Sequence, residues 1–465
     1  MHLRRDHQER GGEVRATLAL ALPLIAGQLS VMGMNTVDVV LAGHLGAAVL
    51  GAVAVGTALF HLGNMAALGV NAAVSPSVAQ LDGGGRRGEV GALFRQAVAI
   101  ALVLGLALMG FVYAGAPALG RGLGLPVELL EQATAFLHAA APAIPALSLF
   151  YACRGLSEGL MQPRPTMAFG LLGLGLLVPV GYALMYRAGL GARGCGMATS
   201  IVAWVQVAGF ALWLRFSGRY CGIGWRVRRR LDPASLRRLL RIGLPMAVTL
   251  LMESGLFSAA GLAIGRLGTA AAASHVVALN VAAFSFMVPL GVALAVTVRV
   301  GHAAGRGDAA AVRRAGLTGM ALALAVQAVS GTLLLLAPGL IAGIFTSDPA
   351  VRGSATVLLR LAGVFQLSDG LQVTASGALR GLKDTRVPML LTGIAYWGVG
   401  MPVALALTFA AGWGAPGMWC GLIAGLTTAA ALLTARFWRL TRPAAALATA
   451  SSPPRRWRCR RSSAA

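Results

Sequence analysis

The stretch at 242–257, IGLPMAVTLLMESGLF, decides how the whole chain is read. It is an apolar run of transmembrane character with one acid, Glu253, set deep inside it, and no Lys or Arg lies within ten residues on either side. An ionised carboxylate in hydrocarbon costs at least a few kcal/mol on the mildest scale. Such a residue is tolerated when it faces a partner or a wet cavity, which makes Glu253 a functional-site candidate from the outset.

The composition around this stretch agrees with it. The 465 residues are 57% apolar and 12% charged, with a mean hydropathy of +0.75. Soluble domains average about 25% charged and under 50% apolar residues, so the chain reads as a polytopic membrane protein. The 62 glycines fit close helix packing in lipid. A net charge of +24 raises nucleic acid as a partner, but the arginines sit in short loops and tails between apolar spans, where orientation in the bilayer accounts for them. No nucleic-acid partner is expected. The five cysteines, Cys153, Cys195, Cys221, Cys420 and Cys459, are scattered without a CxxC pair. That excludes a disulfide framework or zinc site, and no cofactor is expected. The charged N-terminus lacks a signal-peptide cleavage pattern, so the first helix is expected to stay in the membrane.

A ruler of about 20 apolar residues per span gives twelve: 16–41, 48–80, 92–116, 130–153, 166–187, 194–216, 240–263, 270–299, 315–338, 354–379, 387–411 and 414–437. The second and eighth are long enough to need tilt or a kinked entry. With both termini cytoplasmic, 33 of the 39 Lys and Arg fall inside. Outside stand Arg121, Arg187, Arg193, Arg266, Arg352 and Arg360. This positive-inside bias supports an even number of spans and a bacterial inner membrane location.

The chain also repeats itself. LALPLIAGQL near Pro23 answers IGLPMAVTLL near Pro245, and AGHLG at 42–46 answers IGRLG at 264–268, at an offset of 222. Arg154-Gly155 answers Arg380-Gly381 at an offset of 226. Six spans per half is an even number, so both halves enter from one side and form a parallel repeat. The expected fold is therefore all-α and integral to the membrane, in two six-helix lobes. A cytoplasmic tail at 1–15 precedes the first lobe at 16–216. A basic linker at 217–239 joins it to the second lobe at 240–437, and a basic, low-complexity, disordered tail occupies 438–465.

Twelve of the fifteen acids fall in tails, loops or span ends. The other three are Asp38 in the first span, Glu253 in the seventh and Asp369 in the tenth. Glu253 lies twelve residues past Arg241, about 18 Å along a helix. Asp369 lies eleven before Arg380 on a helix of opposite direction, about 16 Å from the same edge. The second lobe thus offers a carboxylate pair at one depth and the first a single acid. Polar neighbours share faces with them. Gln28, Asn35 and Asp38 form one stripe; His61, Asn64, Asn71 and Ser75 form another; and Gln366, Asp369, Val373, Ser376 and Arg380 follow helical steps. His275 and Asn280 stand in the eighth span. The bland reading is that such groups hydrogen-bond helices together, worth well under 2 kcal/mol each. It is preferred for Asn64, Asn71, His61 and His275 taken singly. Gln28, Asn35, Asn64, Asn71, Asn280 and Gln366 remain the candidate polar lining of a cavity. Two carboxylates at one depth can share protons or coordinate a dehydrated cation through oxygens, so Glu253 and Asp369 are the candidate metal ligands if the ion is Na⁺. A vacant, charged site attracts lipophilic cations instead, and competition for one cavity is the minimum that antiport needs. Prolines 23, 142, 145, 179, 245, 289 and 402 lie within spans and can bend them.

In this order, LALPLIAGQL, VDVVLAGHLG around Asp38, LPMAVTLLMESGLF around Glu253, HVVALNVAAFSFMVPL, VTVRVGHAAGRGD, FQLSDGLQVTASGALRGLKDTRVPM around Asp369 and YWGVGMP at 396–402 resemble the multidrug and toxic compound extrusion (MATE) family, in its NorM-like bacterial branch. The likeness covers about 15–440. It implies twelve helices in two lobes, a cavity open to each side in turn, and export of organic cations driven by inward Na⁺ or H⁺. On the matching positions it makes Glu253 and Asp369 the ion site, with Asn280 nearby, and Asp38 the acid of the first lobe. Two positions depart from the pattern. Where relatives carry Asn-x-Pro-x-Asn, this chain has Leu177, Val178, Pro179, Val180 and Gly181. Four residues before Asp369, where relatives often place Tyr, stands Phe365. Both remove oxygen ligands and tilt the expectation toward H⁺.

The expected protein is thus a monomeric, inner-membrane multidrug antiporter for small cationic amphipathic substrates, and not an enzyme: the chain has no HExxH, no GxSxG and no Ser-His pairing on facing spans. A rival is a flippase or exporter of a lipid-linked or other amphipathic metabolite. Pyrophosphate cargo would call for Arg or Lys inside the cavity, and none sits mid-span.

Overall fold

The computed structural model describes the backbone of residues 2–122, 126–224 and 232–442, and side chains over 12–115, 126–224 and 232–442. The expected disorder of the C-terminal tail lies outside the described residues beyond 442. Among the described residues the secondary structure is helical, with no strand. The first lobe comprises α1 (His2–His44), α2 (Ala47–Asn71), α3 (Val74–Gly83), α4 (Val90–Gly122), α5 (Val127–Ala140), α6 (Ala143–Gly159), α7 (Arg164–Tyr182) and α8 (Gly191–Phe216). The second comprises α9 (Pro233–Gly265), α10 (Thr269–Gly305), α11 (Ala309–Leu336), α12 (Pro338–Phe345), α13 (Pro349–Gly381), α14 (Arg386–Gly393), α15 (Met401–Leu405) and α16 (Ala415–Leu440).

Ten stretches of described residues are long and apolar enough to cross a membrane, and α5 with α6 makes an eleventh when this pair, bent by 42°, is taken as one span. Helix α13 is not apolar enough to count among them, since Arg360, Gln366, Asp369 and Gln372 lower its hydropathy. Its 33 residues nevertheless reach about 50 Å, so it supplies the twelfth segment. Three details differ from the expected spans. The first helix starts at His2, so the N-terminal tail continues the first span instead of preceding it. The span expected at 130–153 is broken at Pro142, which has no N–H to continue the ladder. Two side chains of α8 satisfy carbonyls at that break: Ser200 Oγ donates to Ala139 O at 2.6 Å and Trp204 Nε1 to Pro142 O at 3.1 Å. A short extra helix, α12, also follows the ninth span.

The repeat is visible in local backbone. Gly46 and Gly268 both take positive φ, 112° and 111°, at the turn into α2 and α10, a conformation that other residues adopt at a cost. Four residues after Pro179 and Pro402 the helices widen into π turns at Ala183–Arg187 and Ala406–Ala410. The equal spacing from proline to π turn in the two halves is a further mark of the repeat.

Both ends of the described chain, near Gly12 and Leu440, lie at one end of the bundle, here the near end. There the lobes are joined. The Arg299 guanidinium of α10 pairs with the Glu13 carboxylate and bonds Thr17 of α1. Gln80 Nε2 donates to Gly381 O at 2.8 Å, and His302 Nε2 donates to Gly159 O at 2.8 Å. Slightly deeper, α2 crosses α9 so closely that a methyl on Gly69 would overlap Ala247, and one on Gly243 would overlap Val70. Ala21 and Leu24 of α1 share one apolar cluster with Val292, Val296 and Leu379 of the second lobe. Toward the far end the interiors separate. One cluster is built on Phe60, Phe136 and Ile144, another on Leu256, Phe365 and Trp419.

Candidate functional site

Helix α9 brings Glu253 into place. The Asp232 carboxylate caps it, accepting from the Ala234 and Ser235 amides at 3.2 and 3.1 Å, with Pro233 opening the first turn. Pro245 interrupts the ladder, and Thr249 Oγ1 returns a hydrogen bond to its carbonyl at 2.9 Å. Glu253 follows one turn later and is half-buried. Asp369, midway along α13, is only 5% exposed. Among the described residues neither carboxylate accepts a hydrogen bond or an ion pair from a protein donor closer than 4.0 Å. Their oxygens keep some access to the space around them, so a pair without protein donors is a vacant acceptor for a proton or a cation.

The two acids lie within electrostatic reach of each other, as the sequence expects, and two further groups join them: the Arg380 guanidinium and the Tyr396 phenol. Arg380 thus comes within reach in space, although no Lys or Arg lies within ten residues of Glu253 in the chain. Arg380 stands at the end of α13, but it shares the helical stripe of Asp369 and is half-buried. Tyr396 is fully buried, and its hydroxyl has no hydrogen-bond partner. It belongs to a seven-residue π segment, Ile394–Gly400, that abuts α9, where Trp397 Nε1 donates to Met252 O at 3.3 Å. The stripe 366–369–373–376–380 held the signal for Arg380. For Tyr396 the signal was YWGVGMP, which marks a region but not a distance.

The repeat explains why Arg380 is available. In the first lobe the equivalent Arg154 is bound by Glu158 at 2.6 Å. In the second, the acid at the corresponding position, Asp384, is taken by Arg436 at 3.0 Å. Arg380 therefore has no ion pair of its own among the described residues.

The other candidates divide. Asp38 stays in the first lobe, half-buried, with Cys195 Sγ donating to it at 3.4 Å. Asn64 accepts from the Tyr151 hydroxyl at 2.9 Å, and Asn71 Nδ2 donates to Ser148 Oγ at 2.9 Å, so both join α2 to α6. Gln366 is 1% exposed and accepts from Ser285 Oγ at 2.7 Å between α10 and α13. These three, expected to line a cavity, are turned into helix contacts. Asn35 and Asn280 are exposed, and Gln28 is half-buried. His275 accepts from Trp419 Nε1 at 3.2 Å and is a packing residue. Phe365 lies edge-on to Phe257 and Trp419, with ring centroids 6.1 and 5.6 Å away.

The sequence pattern of the MatE family matches residues 23–183 and again 245–406, starting at Pro23 and Pro245. The chain belongs to the MatE family. It is 47% identical over 451 residues to the probable multidrug resistance protein NorM of Xanthomonas axonopodis pv. citri, covering 94% of this chain and 96% of the relative. It is 39% identical over 441 residues to the multidrug resistance protein PmpM of Pseudomonas aeruginosa, covering 92% of each. The same two-lobed fold occurs in a eukaryotic MATE transporter, with a TM-score of 0.86 at 19% identity over 94% of this chain and 99% of that one. It also occurs in an outward-facing multidrug resistance MATE family transporter, with a TM-score of 0.85 at 21% identity over 92% and 96%. In this MatE chain, where Phe365 offers no hydroxyl, the phenol of Tyr396 lies within electrostatic reach of the same acids.

Proposed function

We infer that this protein exports lipophilic organic cations across the bacterial inner membrane in exchange for an inward-moving ion, by opening its two lobes to each side in turn. The observation that carries the reading is the pair Glu253 and Asp369. Two carboxylates, one buried and one half-buried, stand within apolar helices, and among the described residues no protein donor satisfies them. The names of the relatives, multidrug resistance proteins, supply the substrate class. Lobes bonded at the near end, with separate apolar interiors beyond, support a state open at the far end. With both termini cytoplasmic, as the basic loops indicate, that state faces outward.

In that state the acids bind the coupling ion, the site loses negative charge, and a bound cationic solute is released. Neutralisation lowers the cost of enclosing the site in hydrocarbon, so the lobes can close at the far end and open at the near end. The ion then leaves and the recharged acids attract the next cation. Asp38 gives the first lobe its own acid for the solute. The hydrogen bond that Asp38 accepts comes from a thiol, whereas a hard metal ion is held by oxygens. Both this and Phe365 favour H⁺ over Na⁺ as the coupling ion. No catalytic chemistry is assigned, and a monomer contains every group the cycle uses.

Efflux of a fluorescent cationic dye from proteoliposomes tests the reading. Glu253→Gln and Asp369→Asn are each expected to abolish exchange, and an imposed pH gradient to drive efflux where an imposed Na⁺ gradient does not. Wild-type transport in both variants would overturn the mechanism. Transport on Na⁺ alone would overturn only the choice of ion.

A further inference from the structure

The first lobe carries a concave feature of its own, lined in part by α8, the helix whose Cys195 bonds Asp38. It is a cleft of about 560 Å³ lined by Tyr113, His138, Arg193, Met197, Ser200 and Ile201, among others. Its wall is the break between α5 and α6, where Ser200 and Trp204 of α8 reach across to the carbonyls of Ala139 and Pro142. The polar side of the cleft is rigid. Tyr113 and His138 stack with ring centroids 4.0 Å apart and planes at 17°. His138 Nε2 donates to the Tyr113 carbonyl at 3.1 Å, which fixes the ring. The Tyr113 hydroxyl and His138 Nδ1 are left without a protein partner among the described residues. Arg193, in the first turn of α8, is exposed and has neither an ion pair nor a hydrogen bond there. No acid lines the cleft.

Depth identifies what fits. Tyr113 lies 23 residues along α4 from Val90 at the near end, about 35 Å of helix, which places it at the far membrane interface. Arg193 opens α8 at that interface, and Ser200 and Ile201 lie about 10–15 Å deeper. Below the polar groups the surface turns apolar, with Ile201 43%, Trp204 44% and Val205 42% exposed. The order from the far end inward is therefore cation, hydroxyl and imidazole, then hydrocarbon. A phospholipid presents the complementary order of phosphate, glycerol and acyl chain. Arginine matches a phosphate through paired donors, and aromatic rings with a polar tip suit the interface.

We propose that this cleft is a binding site for an anionic phospholipid of the far leaflet, with Arg193 holding the phosphate, the Tyr113–His138 pair flanking the headgroup, and one acyl chain lying over Ile201 and Trp204. The lipid would fill the notch that Pro142 opens, bracing α5 and α6 against α8. Arg187, exposed nearby but absent from the lining, is not part of the site.

Purified full-length protein, delipidated and then equilibrated with mixed micelles of phosphatidylglycerol and phosphatidylcholine, provides the test by native mass spectrometry. Phosphatidylglycerol is expected to be retained over phosphatidylcholine. Arg193→Gln should lower that retention about tenfold, the loss of one charge-assisted hydrogen bond, and Arg187→Gln should leave it unchanged. A wild-type readout removes dependence on folding of the variant: dibrominated phosphatidylglycerol should quench the fluorescence component lost in Trp204→Phe more than dibrominated phosphatidylcholine does. Equal retention in Arg193→Gln, equal loss in Arg187→Gln, or equal quenching by the two lipids would overturn the proposal. Displacement of the lipid by millimolar inorganic phosphate would also overturn it, in favour of a soluble anion.

Discussion

At the scale of single residues, the second-lobe site is a charge problem, and Arg380 and Tyr396 alter its terms. Two ionised acids alone would repel each other, while a fixed guanidinium within reach offsets one of them at every stage of the cycle. Arg154 is the internal control, because it occupies the same place in the repeat but is closed off by Glu158. Arg380→Gln is expected to slow coupled dye efflux at least tenfold, whereas Arg154→Gln should change it far less. Equal effects of the two variants would mean that both arginines serve packing alone. Tyr396→Phe removes one hydroxyl from a buried site without changing its shape. That hydroxyl is unpartnered in this state, so the folded protein loses no bond. A hydrogen bond it makes to a charged carboxylate in another state of the cycle would be worth about 1.5 kcal/mol or more, so efflux at a fixed pH gradient should fall about tenfold while the thermal midpoint holds. An unchanged rate would remove Tyr396 from the site. The acids themselves were legible in the sequence, because charge in an apolar run is visible one residue at a time. Of their company, Arg380 was legible through the stripe it shares with Asp369, while Tyr396 was not, because it stands 143 positions from Glu253 and no local period encodes that approach.

At the scale of elements, the near-end seam holds attraction and repulsion side by side. Arg299 with Glu13, Gln80 with Gly381 and His302 with Gly159 draw the lobes together. Against them stands Lys383, in the turn after α13 with φ of 60°. Burial, helped by the charges of Arg238 and Arg86, pushes its ammonium down to about 8. The unfolded chain therefore binds more protons than the folded one between about pH 8 and the ordinary lysine range near 10.4, so this group's contribution to stability rises with pH across that window. Below pH 8 the full penalty is present. Lys383→Gln should accordingly raise the melting temperature at pH 7 and lose most of that advantage by pH 10. A gain that is the same at both values would locate the effect in the turn's geometry instead of its charge. The seam was not readable from sequence, since each of its bonds joins residues of different lobes. The break at Pro142 was visible only as a proline, and the π turns after Pro179 and Pro402 only as possible bends. How a ladder recovers from a missing donor depends on which neighbour, here Ser200 and Trp204, can reach the freed carbonyl.

At the scale of the molecule, most of the architecture was legible because a membrane restricts it to so few solutions. Hydrocarbon allows only helices or closed barrels, the run lengths count the helices, and the basic loops orient them. The offset of 222 between Pro23 and Pro245 recurs in the family match, so the two lobes followed from self-similarity alone. What the sequence could not supply is which end of the pair is closed. The structure joins the lobes at the near end through a few polar bonds laid over close apolar packing of α1 on α10 and of α2 on α9, and a transporter needs such contacts to be reversible. An equilibrium held by a few such bonds shifts tenfold for every 1.4 kcal/mol removed. Joint replacement of Glu13 and Arg299 by Gln should therefore move the population about tenfold toward the state open at the near end. The exposed Asn35 reports on this when changed to Cys in a background freed of the native cysteines. A membrane-impermeant maleimide added from the far side should label it readily in the otherwise intact protein and several-fold more slowly once the seam is broken. If labelling is equally fast in both, the seam does not set the equilibrium, and closure of the near end must rest on the apolar contact of Ala21 and Leu24 with Val292 and Val296.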